Sequence, residues 1–347
     1  CDLKTYMSEK SFYYGGQNRK DISLESSKRM FHQHYPSTFK DMFVAVTNTL
    51  VPREMIEDGL SRIRGLSPMQ RPVYGYFEPI YDRTKPCDEN SDVPFRIIGA
   101  TFVPVSDEDV DKATCLRMLL PDERWRKRYY QGTDPIAVET GYSKMASIIW
   151  DRHLKAPVCL VNFRRQHDHQ YSFLQCLLMG LYYDTDHSYG VKEGVPELLE
   201  SNIGTNYSDY CERKGYYKKF IYNKQLPEKL MGGQRHIGID NKGTRALNII
   251  DRMAEVIRYY YKNIYFETIF NQLDRFVRKE GTENTWEKMD KNRDYDDALF
   301  ALVYAYIASL CFEFQMPYEH NEEIVEARKV KFKMVRDSNW NLIRKPI

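Results

Sequence analysis

Four carboxylates carry the clearest chemical signal in this sequence. Asp134 stands in Gln131-Gly132-Thr133-Asp134-Pro135, and Glu200 stands in Leu198-Leu199-Glu200-Ser201-Asn202. Asp296 and Asp297 stand in Tyr295-Asp296-Asp297-Ala298-Leu299. Asp134 and Glu200 each end a stretch that reads as a strand, and the doublet opens an apolar run at helical spacing. Strand ends and helix starts border the ligand crevice of an α/β sheet. Carboxylates converging there repel one another unless a cation joins them, and hard oxygen donors suit Mg²⁺ or Mn²⁺. Two such ions can clamp the attacking and leaving oxygens of an in-line phosphodiester displacement. Taken singly, each acid also has a structural use. Asp134 can form a turn before Pro135, the Glu200 segment can cap the next helix, and Asp296 or Asp297 can be an N-cap that favours the helix dipole. Three acidic positions in one α/β order leave the two readings evenly placed.

The elements that must position these acids follow from periodicity. Residues 128–134, 144–150 and 157–163 read as three strands with short links, the third continuously apolar and hence buried on both faces. A helix is expected over 171–183, a strand over 195–200 and a helix over 207–214 closed by Gly215. Further helices are expected over 244–261, onward through Val277, and over 294–312. The first three strands suit an antiparallel meander, and the fourth, after a helix, suits a parallel crossover. Upstream, short helices are expected at 38–44 and 52–64, with Pro52 at a helix start. A β-hairpin or sheet edge is expected over 72–105, with a polar loop at 82–92.

Composition narrows the function. The chain has 347 residues, with 51 Lys plus Arg against 49 Asp plus Glu, a net charge of +2 that excludes a globally basic nucleic-acid binder. Any contact with nucleic acid must come from local patches. No apolar run reaches the roughly 18 residues of a membrane span. The seven Cys are scattered and form no CxxC pair, so reduced thiols are expected rather than a disulfide framework or a zinc knuckle. GxxxxGK[ST] and GxGxxG are both absent, so no ATP hydrolysis is expected of the chain itself. The start at Cys1 reads as a piece of a longer protein.

With the acids and their order in view, the sequence resembles the large subunit of a tailed-bacteriophage DNA-packaging terminase, in its C-terminal nuclease domain. Gln131-Gly132-Thr133-Asp134-Pro135 resembles the family's first metal-binding strand, and Leu198-Leu199-Glu200-Ser201-Asn202-Ile203-Gly204 its second acidic motif. The segment His236 to Arg245 resembles the stretch before the helix that leads to the last acid. Asn271-Gln272-Leu273-Asp274-Arg275-Phe276 resembles an EL-x-x-F helix, with Gln272 where Glu is common. Tyr295-Asp296-Asp297-Ala298-Leu299-Phe300-Ala301 resembles the family's Asp-Asp apolar helix. Tyr35-Pro36, followed by Asp41-Met42-Phe43, resembles the joint between the ATPase and nuclease parts.

The resemblance implies an α/β fold of the RNase H-like class, with a mixed central sheet flanked by helices. It implies a two-metal-ion endodeoxyribonuclease that uses Mg²⁺ or Mn²⁺ and cuts concatemeric double-stranded DNA during genome packaging. Asp134, Glu200 and one of Asp296 and Asp297 would hold the metals. Adjacent helical residues point about 100° apart, so one of the doublet is the direct ligand. Asp297 is favoured by its Asp-x-Leu spacing into the apolar face. Implied partners are the portal protein, the small terminase subunit and the ATPase part of the same protein. The implied location is the host bacterial cytoplasm, transiently at the procapsid portal. The implied division is a connector over 1–110, a nuclease domain over 111–315 and a basic tail over 316–347. Candidate phosphate contacts are Arg164, Arg165, Lys214, Lys218, Lys219, Lys242 and Arg245, with a further cluster at Arg124, Arg126, Lys127 and Arg128. His167-Asp168-His169 suits a solvated turn. The rival readings are another RNase H-like nuclease, such as a resolvase or RNase H, and a non-catalytic docking module of the packaging motor.

Overall fold

The structure is a computed structural model. It describes residues 49–86, 94–125, 127–136, 145–162, 169–186, 193–201, 205–214, 219–232, 236–279, 285–290 and 295–313, and the backbone of 332–336 and 342–346. In chain order these form α1 (Arg53–Arg64), β1 (Val73–Pro86), β2 (Phe95–Pro104), β3 (Cys115–Arg117), β4 (Tyr129–Asp134), β5 (Ala146–Asp151) and β6 (Ala156–Asn162). There follow α2 (His169–Tyr182), β7 (Glu197–Leu199), α3 (Thr205–Arg213), α4 (Thr244–Tyr260), α5 (Glu267–Asp274), β8 (Phe276–Arg278), β9 (Trp286–Lys288), α6 (Asp297–Leu310), β10 (Phe332–Arg336) and β11 (Leu342–Pro346). Among the described residues no helix is long and apolar enough to cross a membrane.

β4, β5 and β6 form the expected antiparallel meander, and β7 returns after α2 to lie parallel to β4. The order in the seven-stranded sheet is β2-β1-β3-β6-β5-β4-β7. This is a mixed central sheet flanked by helices. The expected β-hairpin is present, and β1 and β2 are hydrogen-bonded into the same sheet through β3. Gln175 of α2 locks the hairpin there, accepting from the Phe77 N–H at 2.8 Å and donating to the Phe77 carbonyl at 2.7 Å. Two expectations are corrected. β1 runs on to Pro86, through the first part of the expected polar loop. The helix expected to reach Val277 stops at Asp274, and Val277 pairs with Glu287 in a small hairpin. The basic tail contains an antiparallel pair, β10 with β11. The expected helix at 38–44 lies outside the described residues.

Alternation along β4 divides its side chains between two cores. Gln131 and Thr133 face α2, where the Gln131 amide donates to the Cys176 carbonyl at 2.9 Å. Gly132 and Asp134 face α6. That core joins Ile148, Leu160 and Leu198 to Ile249, Met253 and Val256 of α4, Phe270 and Leu273 of α5, and Leu299 and Leu302 of α6. The other joins Tyr129, Ile149, Cys159 and Leu199 to Leu177, Leu178 and Leu181 of α2 and Tyr207 of α3. Each such apolar side chain contributes about 1.5–3 kcal/mol on burial. α6 is apolar nearly all round and buried from Asp297 to Ser309 apart from the half-buried Phe300, as a central helix must be. Gly132 lets it sit directly on the sheet: a Cβ there would lie 2.0 Å from the Ala305 nitrogen and 2.3 Å from the Ala301 carbonyl oxygen.

Candidate metal centre

Asp134 is the last residue of β4, paired with Ala146 of β5. The parallel register with β7 sets Gln131 beside Glu197, Gly132 beside Leu198 and Thr133 beside Leu199. Glu200 follows, continuing the strand as a parallel bridge to Ile239, and period 2 puts its side chain on the α6 face with that of Asp134. Asp296 is the N-cap of α6 and Asp297 its first residue, which brings the doublet to the same end of the sheet. The structure thus gathers the acids of all three motifs from a strand end, a strand continuation and a helix start.

Their charges feel one another. Burial first, then repulsion from Asp297, Glu200 and Asp296, pushes the Asp134 carboxyl well above its usual range, and Lys288 partly opposes the rise. Burial also raises Asp296, against the Lys288 ammonium 3.3 Å away. Tyr304 of α6, fully buried, donates its hydroxyl to Glu200 Oε2 at 3.3 Å. Burial and the Glu200 charge hold that phenol well above its usual range, so it stays protonated and remains a donor. Among the described residues no three His, Cys, Asp or Glu side chains close into a ready-made metal cage. The acids share a neighbourhood rather than a finished coordination sphere. The donor set nevertheless fits a hard divalent cation: it is all oxygen, and among the described residues Lys288 acts on Asp134 against three neighbouring carboxylates.

Two residues of this centre carry little signal in the sequence. Lys288 ends β9, and its approach to Asp296 depends on the β8–β9 hairpin folding back over the start of α6. Gln272 of α5 is buried, and its Oε1 accepts from the N–H groups of Ala298 at 2.9 Å and Leu299 at 3.2 Å. The one available signal was the motif that contains it, which placed Gln272 on a helix before the doublet.

The basic candidates divide. Lys219 is fully buried and its ammonium lies 2.8 Å from Glu197 Oε2, so it is an interior countercharge and not a phosphate contact. Burial works against its charge, yet the Glu197 carboxylate outweighs this and its pKa rises. Arg128 is likewise buried, forked onto Asp151 at 2.7 Å and reaching Asp122 at 3.0 Å, while Arg124 lies against Asp122 at 2.8 Å. That cluster stands at the opposite end of β4 from Asp134, roughly 17 Å away at the usual rise per residue. Lys242 is exposed on the segment that leaves the Glu200–Ile239 bridge, and Arg245, in the first turn of α4, is paired with Asp240 at 2.9 Å. Lys214 closes α3 with its ammonium 5.2 Å from the Tyr210 ring. Arg164, Arg165, Lys218 and Arg126 lie outside the described residues, as do His167 and Asp168. The described cysteines are free thiols.

No protein-family model matches the chain, and no curated protein matches it. Solved structures do. The large terminase nuclease of thermophilic phage G20c matches at 15% identity and a TM-score of 0.39, over 56% of this chain and 88% of that one. The same nuclease with bound magnesium matches at 13% identity and a TM-score of 0.40, over 56% and 87%. The large terminase nuclease domain of Thermus phage P74-26 matches at 14% identity and a TM-score of 0.40, over 60% and 90%.

Proposed function

We propose that the chain is a metal-dependent endonuclease that cuts double-stranded DNA, acting as the nuclease part of a viral packaging terminase. The observation that carries this reading is the convergence of Asp134, Glu200, Asp296 and Asp297 at one end of β4, with Lys288 as the cation acting on Asp134. Two divalent ions, Mg²⁺ or Mn²⁺, would supply there an activated water and charge stabilisation at the scissile phosphate. Asp134, Glu200 and Asp297 would hold them. Asp296 is engaged by Lys288, which favours Asp297 as the direct ligand of the doublet. Tyr304 holds the Glu200 carboxylate in place. Lys242, Arg245 and Lys214 would contact phosphates and carry no sequence information, so cutting would show little sequence preference. Packaging of concatemeric DNA, in the host cytoplasm and with the portal, the small subunit and an ATPase part as partners, belongs to this reading by resemblance.

The test is plasmid digestion with Mn²⁺ or Mg²⁺. Asp134→Ala should lose cutting by at least about 100-fold while keeping its fold by circular dichroism. Full activity in that variant sinks the proposal. Preference for a four-way junction or an RNA–DNA hybrid over plain duplex would move the reading to a resolvase or RNase H.

A further inference from the structure

The start of α6 is capped from outside its own chain segment. A helix start leaves several N–H groups without partners inside the helix. Here the N-cap is Asp296, and its side chain makes no capping bond. Its carboxylate lies instead 3.3 Å from the Lys288 ammonium. The Ala298 N–H is taken by a buried acceptor, Gln272 Oε1, at 2.9 Å, and the Leu299 N–H is shared between that oxygen at 3.2 Å and the Asp296 carbonyl at 2.9 Å. These are the two residues that directly follow Asp297. The acceptor comes from α5, whose apolar face, with Phe270 and Leu273, is packed in the same core as α6. The position of the turn that carries Asp297 is therefore tied to the body of the protein through one side chain.

We infer that Gln272 is a positioning residue of the acidic centre: its amide fixes the first turn of α6, and so fixes Asp297 against Asp134 and Glu200. The amide has a second virtue at this place. A carboxylate would accept the same two hydrogen bonds but would add another negative charge beside acids that already repel. The neutral side chain fixes the turn without adding to that repulsion.

This inference rests on the metal-centre reading, and the experiment separates the two. Mn²⁺ is titrated into the full chain by calorimetry, for the wild type, Gln272→Met and Gln272→Glu, with the fold of each checked by circular dichroism. Gln272→Met fills nearly the same volume without the acceptor, and Mn²⁺ should bind roughly tenfold more weakly, the scale typical of residues that orient metal ligands. Gln272→Glu restores the acceptor and should bind at least as tightly as the wild type. A residue with a purely structural role would lower the melting temperature of Gln272→Met and leave its Mn²⁺ affinity unchanged, and that result overturns the inference. Binding in Gln272→Glu as weak as in Gln272→Met also overturns it. If Gln272→Met does not fold, Gln272→Glu decides alone: binding weaker than wild type refutes the positioning role. If the wild type itself binds no Mn²⁺, the metal-centre reading fails instead.

Discussion

The two faces of β4 and β7 show opposite treatments of buried charge. On the α2 face, Glu197 lies 2.8 Å from Lys219, both side chains without exposure. Thr133 donates to Glu197 Oε1 at 2.5 Å and lies 2.7 Å from the Ser147 hydroxyl, and Gln131 donates to the same hydroxyl at 2.9 Å. The two described charges there are opposite and paired. On the α6 face, one register step further along the same two strands, Asp134 and Glu200 meet Asp296 and Asp297 with Lys288 as their cation. The first face is balanced and closed, and it fixes the register of β4, β5 and β7. The second gathers four carboxylates around Lys288 among the described residues, and their mutual repulsion raises the Asp134 carboxyl. The difference teaches that one pair of strands can bury a paired charge on one face and gather like charges on the other.

That contrast can be broken experimentally. The largest effect on stability should come from the balanced face. Glu197→Ala strands the Lys219 charge in the interior and should cost about 3–5 kcal/mol in urea unfolding, whereas the double variant Glu197→Gln with Lys219→Met, which removes both charges but keeps the shape, should recover much of it. A double variant as unstable as the single one would show that the face is not held as a balanced pair. Next comes the contact that joins the faces. Gly132→Ala drives a methyl into the α6 backbone and should cost about 1–3 kcal/mol by thermal unfolding, with weaker Mn²⁺ binding as α6 is pushed off the sheet. Unchanged stability would mean that the helix moves aside freely.

The smallest effect belongs to the unbalanced face, and its sign runs the other way. The folded-state pKa of Asp134 is raised above its usual 3.8, so between those two values the folded protein binds a proton that the unfolded chain has lost. Stability therefore falls as pH rises through that window. Asp134→Asn should match or exceed the metal-free wild type, and its advantage should be larger at pH 8 than at pH 5, by a melting-temperature difference on the order of 2 °C. An advantage that shrinks with rising pH would contradict the imbalance.

Much of the framework was legible in the sequence because its cues are local. The β4–β5–β6 meander and the return of β7 follow from short apolar runs with short links. α6 follows from the unbroken apolar stretch after Asp297. The positions of the acids, at a strand end, a strand continuation and a helix start, were readable because such ends are themselves legible. What escaped was the direction of individual basic side chains. Lys219 belongs to a sequence cluster that looks solvated, yet Glu197 sits in the apolar strand Pro196 to Leu199 and requires an interior cation. Arg128 was masked in the same way by Arg124 and Lys127. Lys288 and Gln272 act across tertiary contacts, and no periodicity encodes such a meeting.

The chain path divides the centre between two parts of the molecule. The capping amide, the countercharge and the acidic doublet all come from one continuous stretch, residues 272–297, while Asp134 and Glu200 come from the sheet. On the proposed reading, a substitution within that stretch would act on the cation site from outside the strands that carry Asp134 and Glu200, so the two halves of the site could be altered separately.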